Sequence, residues 1–154
     1  MQQFSIWLYR AFGTGLAIAA MELLARVFDE PFSRVPFVTS IVLTLSLPDS
    51  EAAQPYAVVA GHLLSTAAGL AALWCLGPGM TASAAGVGLA ALLMQTARAV
   101  HPPAGIDAFL VPLFSLPAGW MLNPVLIGAV LLAIFGKLWS RGAGLLRLDA
   151  ATGI

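Results

Sequence analysis

The chain has 154 residues, of which 60% are hydrophobic and 9% charged, and seven basic side chains balance seven acidic ones. Ordinary soluble domains carry roughly 25% charged residues. So apolar a composition cannot cover a globular surface, and the surrounding solvent must be lipid. The absence of net charge argues against a nucleic-acid partner. The single cysteine, Cys75 inside an apolar run, supports neither a disulfide framework nor a zinc site.

A membrane-crossing helix needs about 20 apolar residues to span roughly 30 Å of hydrocarbon. The first candidate runs from approximately Ile6 to Phe28. Ala17-Ile18-Ala19 imitates a signal-peptide cleavage site, but Met1 to Tyr9 has no lysine or arginine and the apolar pattern continues past the site. A retained helix is therefore expected. Next comes "PFVTSIVLTLSLP", Pro36 to Pro48, which makes a helix of only about 20 Å at 1.5 Å per residue. The second full span is Pro55 to Leu76, followed by the breaker Gly77-Pro78-Gly79 and a third span from Met80 to Val100. "PPAGIDAFLVPLFSLP", Pro102 to Pro117, is again too short. The fourth span, Trp120 to Trp139, has a tryptophan at each end, where a membrane interface favours it. Residues 140–154 form a short basic tail.

The expected fold is an all-α membrane protein with one transmembrane domain over residues 1–154. It has four full transmembrane helices plus two short half-helices, each opened by proline, which suits the first helical turn. The order (helix, half-helix, helix) occurs twice, over approximately residues 6–76 and 80–139. A 67-residue offset superposes Pro36 on Pro103, Gly61 on Gly128, Thr14 on Thr81 and Ser40 on Asp107. Backbone that stops inside hydrocarbon must be buried in protein or line a polar cavity. Short interrupted segments in matching places point to a transporter's binding site.

Lys137, Arg141 and Arg147 flank the last span and put the C-terminus in the cytoplasm by the positive-inside rule. The bacterial inner (cytoplasmic) membrane is the expected location. The short segments are either re-entrant, giving four crossings, or tilted crossings, giving six; Arg26, Arg34 and Arg98 do not separate the two. Gly61, Ser65 and Gly69 form a row of small residues on the second span, and Ala82, Gly86 and Ala90 form one on the third. Such rows let helix backbones approach closely. Four spans leave little interior for a solute path, so a homo-oligomer is expected.

The polar residues gather at "AVHPPAGID", Ala99 to Asp107. A helix start carries about half a positive charge and free N–H groups, which is an anion site without any side chain. Two such starts, at Pro36 and Pro103, with a bidentate donor from Arg98, suit a monovalent oxyanion. His62 lies two turns into the second span, where an ionisable group is costly. Asp107 opposes an anion. It pairs with Arg98, carries a proton as a buried acid, or marks a solute that is not an anion.

"HPPAG", His101 to Gly105, preceded by Arg98, resembles the namesake motif of the HPP family of small integral membrane proteins. "LPDSEAAQPYAVVAGHLLS", Leu47 to Ser65, is similar to the family's other block, with Pro48, Ser50, Ala53-Gln54-Pro55 and Gly61-His62-Leu63-Leu64-Ser65 in its pattern. The chain departs from the family's Gly-Ala-Ser-like run after the first short segment's proline, carrying Phe37-Val38-Thr39-Ser40 instead. The resemblance implies four transmembrane helices and a transport role, with nitrite uptake linked to plastid and cyanobacterial relatives.

Together these readings nominate a transporter of a small anion, nitrite-like or organic, at a site of Thr39, Ser40, His62, Arg98, His101, Pro102, Pro103, Gly105 and Asp107. Two alternatives stand beside it: a passive channel with paired half-helices as filter, and a membrane assembly or sensor subunit with no flux. No pattern nominates a nucleophile with its base, so no enzyme, cofactor or metal is expected. The expected partners are the lipid bilayer, the small-molecule or ion substrate and further copies of the chain.

Overall fold

The computed structural model describes residues 2–27, 37–146 and 148; Phe28, Arg34, Pro36 and Arg147 of the sequence reading lie outside them. Among these residues six α-helices follow in order: α1 Gln2–Val27, α2 Phe37–Ser46, α3 Pro55–Leu76, α4 Met80–Thr96, α5 Gly105–Phe114 and α6 Ile127–Leu145. No strand occurs among the described residues. The breaks fall where backbone chemistry demands them. Pro55 opens α3, Gly77 and Gly79 take positive φ (76° and 124°) before α4, and Pro102-Pro103 build a 3-10 turn leading into α5.

Among the described residues three helical stretches, not the four expected, are long and apolar enough to cross a bilayer: Gln3–Arg26, Pro55–Leu76 and Ala118–Leu145. The predicted third span stops at Thr96 rather than Val100, which leaves 17 residues, or about 25 Å. Its end is closed by paired hydrogen bonds. Ala99 N–H donates to Met94 O at 2.9 Å and Arg98 N–H to Gln95 O at 3.1 Å, with Arg98 left-handed at φ 52°. This Schellman closure normally employs glycine, so hydropathy gave no sign of it. The last stretch is also not one straight helix from Trp120. A turn at Ala118–Met121 and an extended Asn123 (φ −132°, ψ 116°) precede α6, which runs on past Trp139. At ten residues, α2 is about 15 Å long, half the hydrocarbon thickness.

Among the described residues large apolar side chains cover the surface, and eight polar ones are buried beside an apolar core that includes Phe37, Ile41 and Leu45. Trp7, Phe12, Trp74, Leu92, Phe114 and Leu138 are exposed, while Ser40, Thr44, His62, Ser65, Thr66, Ser83, His101 and Asp107 are buried. Lipid tails are as apolar as leucine, so no hydrophobic force drives large apolar groups inward, and the helices associate through close packing, small residues and hydrogen bonds. Both small rows are used in this way within the chain. Pro112 inside α5 has no N–H for the Ala108 carbonyl four residues back. That carbonyl lies against Gly69 of α3 and Gly86 of α4, where a Cβ would collide with it. The rows are filled by the chain's own helices rather than by a second copy.

Each short helix packs on the last helix of the other half of the chain. Val111 of α5 lies on Gly69 of α3, and Thr44 of α2 lies on Gly136 of α6. The two glycines are 67 positions apart, and so are Thr44 and Val111. Helix α1 joins the bundle through Tyr9, which stacks on Trp139 at 4.6 Å and donates its hydroxyl to the Trp139 carbonyl at 3.0 Å.

Candidate functional site

The first turns of α2 and α5 meet α3 in its third turn, and each brings one polar side chain to the junction. His62 of α3 stands in the middle. Its Nδ1 lies 2.6 Å from Asp107 Oδ2 of α5, and its Nε2 lies 3.0 Å from Ser40 Oγ of α2. Ser40 Oγ also lies 2.9 Å from Nε2 of His101, whose Nδ1 is 2.6 Å from the Ala52 carbonyl oxygen. Asp107, His62, Ser40 and His101 therefore form one continuous hydrogen-bonded chain ending on the backbone between α2 and α3. All four side chains are sealed from the surface, at 0% exposure.

The surrounding packing holds this chain in place. Phe37 packs against His62 with ring centroids 4.8 Å apart and planes tilted by 41°, and the two imidazoles sit 5.2 Å from each other. Gly61 is needed beside His101, because a Cβ there would come within 2.7 Å of the His101 Cβ and 3.3 Å of the Ala99 carbonyl. Ser65 Oγ accepts the Ala108 N–H at 3.2 Å and so fixes α5 to α3 at the residue next to Asp107. Asp107 sits in the first turn of α5, where its negative charge opposes the positive end of the helix dipole. The N-terminus of α5 is thus already compensated by its own carboxylate when that group is ionised.

Of the residues nominated from sequence, Ser40, His62, His101 and Asp107 are brought together. Pro103 and Gly105 are half-buried behind them, while Thr39, Pro102 and Arg98 are exposed. The suggested Arg98–Asp107 pair is not formed; the carboxylate is taken by His62 instead. The left-handed turn at Arg98 sends its side chain outward, although the two residues are close in sequence. Two participants were not nominated for the site: the Ala52 carbonyl, which carried no signal, and Gln54 of the Ala53-Gln54-Pro55 motif, whose side-chain N–H groups donate to Pro48 O at 3.0 Å and Ser50 O at 3.2 Å. Gln54 braces the turn that offers Ala52 to His101.

A model of the HPP transmembrane region matches residues 1–144. The chain belongs to the HPP transmembrane family. A transmembrane protein of Dictyostelium discoideum is 27% identical over 139 residues, covering 83% of this chain and 48% of that protein. The chain thus spans about half the length of this curated relative. No solved structure matches it. The geometry gives the two HPP sequence blocks a common purpose. The Leu47–Ser65 block supplies the Ala52 carbonyl, its brace Gln54 and His62, the His-Pro-Pro block supplies the imidazole that donates to Ala52, and His62 ties both to α5. In this HPP chain the position of the small-residue run is taken by Phe37-Val38-Thr39-Ser40, and it is Phe37 that closes over His62.

Proposed function

We propose that this HPP protein moves a small solute across the membrane, a monovalent oxyanion such as nitrite, and that the solute binds at the Asp107–His62–Ser40–His101 chain. One observation carries the reading: three ionisable side chains and a hydroxyl are concentrated at one fully buried junction of a lipid-embedded bundle. Ionisable groups at such depth are expensive and ordinarily serve a solute or proton path. Thr39, Pro102, Pro103 and Gly105 shape the helix starts around the junction, and Arg98, exposed at the end of α4, supplies an attracting charge at the surface. A polar cleft of about 110 Å³, lined by Thr44, Gln54, Lys137 and Ser140 among others, opens one turn from Ser40 and offers an approach from water.

The exchanged packing of α2 on α6 and α5 on α3 supports a duplicated three-helix unit whose halves embrace. Sealing of the chain favours alternating exposure of the site over an open pore. A homo-oligomer would have to use faces other than the small rows, which are already occupied.

The test is saturable nitrite uptake into proteoliposomes, measured above protein-free vesicles. Wild-type uptake should saturate, and His101→Ala and Arg98→Ala should both reduce it. If both variants match wild type, the site assignment is wrong. If the wild type shows no flux, the transport reading fails.

A further inference from the structure

We propose that the buried chain binds a proton and a monovalent anion together, the proton entering at Asp107 Oδ1 and the anion accepting a hydrogen bond from it. This rests on the anion reading above and adds the charge that must accompany the solute.

The proton positions follow from which atoms can donate. A carbonyl oxygen only accepts, so His101 Nδ1 must carry a proton toward Ala52. With the Ser40 hydroxyl proton directed to one of the two imidazoles, the remaining links, His101–Ser40, Ser40–His62 and His62–Asp107, are satisfied by a single mobile proton. That proton rests on Asp107, leaving both rings neutral, or on His62, giving an imidazolium beside a carboxylate. When the Ser40 hydroxyl reverses, it rests on His101. In each arrangement the chain has no net charge. An anion arriving alone would meet a neutral site or an ionised carboxylate, and a buried unpaired charge is strongly disfavoured.

A second proton changes this. One atom of the chain can take it without breaking a link: Asp107 Oδ1, which is buried and has no hydrogen-bond partner. With Oδ1 protonated, His62 is an imidazolium donating from both nitrogens, to Asp107 Oδ2 and to Ser40 Oγ. Ser40 donates on to His101, and every link survives. The junction then carries one positive charge and one unanswered O–H donor. A monovalent anion supplies the missing acceptor and the balancing charge. The carboxylate that opposed an anion becomes the group that binds it.

Among the described residues no other charge reaches the junction. Helices α2 and α4 contain no ionisable acid or base, and α5 contributes only Asp107. On α3, besides His62, Tyr56 donates its hydroxyl to Ala97 O and Cys75 is exposed. Asp49 and Glu51 of the α2–α3 connection are exposed, as are Lys137 and Arg141 of α6 and Arg98. Arg10 of α1 donates to Ser46 O at the far end of α2.

The experiment uses the purified full chain in detergent, titrated with sodium nitrite in weakly buffered solution containing a pH indicator. Calorimetry in two buffers of different ionisation enthalpy repeats the proton count. One proton should be taken up per nitrite bound, and Kd should weaken about tenfold per pH unit on the alkaline side. His62→Gln should abolish binding, because the imidazolium charge is gone. Nitrite binding with no proton uptake and a pH-independent Kd overturns co-binding while leaving the transport reading in place. Binding that survives His62→Gln but is lost in Arg98→Ala puts the anion at the surface arginine and also overturns it. Absence of nitrite binding, together with absence of nitrite flux, overturns the anion reading and this inference with it.

Discussion

Ser40→Ala is the sharpest perturbation of the buried chain, because one hydroxyl serves both imidazoles. Removing it strands His62 Nε2 and His101 Nε2, which lie 3.0 Å and 2.9 Å from that oxygen, and both rings are fully buried. Leaving a buried polar group unsatisfied costs about 1–3 kcal/mol, so two groups set an upper range of about 2–6 kcal/mol. Interhelical hydrogen bonds in membrane proteins average only about 0.6 kcal/mol and reach about 1.7, since the lipid-inserted unfolded chain also finds partners. Two such bonds give about 1–3 kcal/mol. The two ranges overlap at about 2–3 kcal/mol, and that is the expected loss. The assay is reversible unfolding in mixed micelles, followed by tryptophan fluorescence. Ser40→Thr, which restores a hydroxyl, should recover part of the loss. Ser40→Ala combined with His101→Leu should cost less than the sum of the singles, because the stranded acceptor is gone. A loss below about 0.5 kcal/mol, or strict additivity of the pair, would refute the shared-hydroxyl reasoning.

Three further outcomes follow from particular contacts. Arg98→Gly relieves a left-handed residue at the end of α4 and should stabilise the fold by about 1 kcal/mol, read as a rise in Tm. Arg98→Ala keeps the strain and should give no such rise; both should slow nitrite entry if the guanidinium attracts the anion. Gly61→Ala drives a methyl into His101 and should cost about 1–3 kcal/mol in the same unfolding assay while abolishing uptake. Gln54→Leu frees the turn that presents Ala52 and should cost about 1–2 kcal/mol. Its 15N NMR signature should be a changed protonation pattern at His101, and an unchanged pattern would show that the brace does not position the carbonyl.

Local chemistry made much of the architecture legible. Long apolar runs, prolines at helix starts and the Gly77-Pro78-Gly79 break located the first five helices to within about four residues, because these signals act on the backbone where they stand, whereas α6 starts seven residues after the expected Trp120 and ends six after Trp139. Reading α4 as a full span failed for an instructive reason. Ala99 and Val100 are apolar, and only the left-handed Arg98 and its paired hydrogen bonds end the helix before them. An arginine in that conformation has no counterpart in hydropathy. The candidate site was half legible. His62, His101, Ser40 and Asp107 were visible as polar residues out of place in lipid, whereas their partnerships were not.

What the sequence determined by itself was the solvent, the helices and the residues too costly to bury without a purpose. It could do so because composition, hydropathy and proline or glycine punctuation are properties of short stretches. Only the tertiary structure decided that Asp107 belongs to His62 rather than to Arg98, that Ser40 joins two imidazoles, and that Ala52 anchors the line. Those bonds link α2, α3, α5 and the turn before α3, and no local pattern encodes a contact between helices. The packing of small residues, Gly61 against His101 and Gly69 against Ala108, brings the backbones close enough for the side chains to meet.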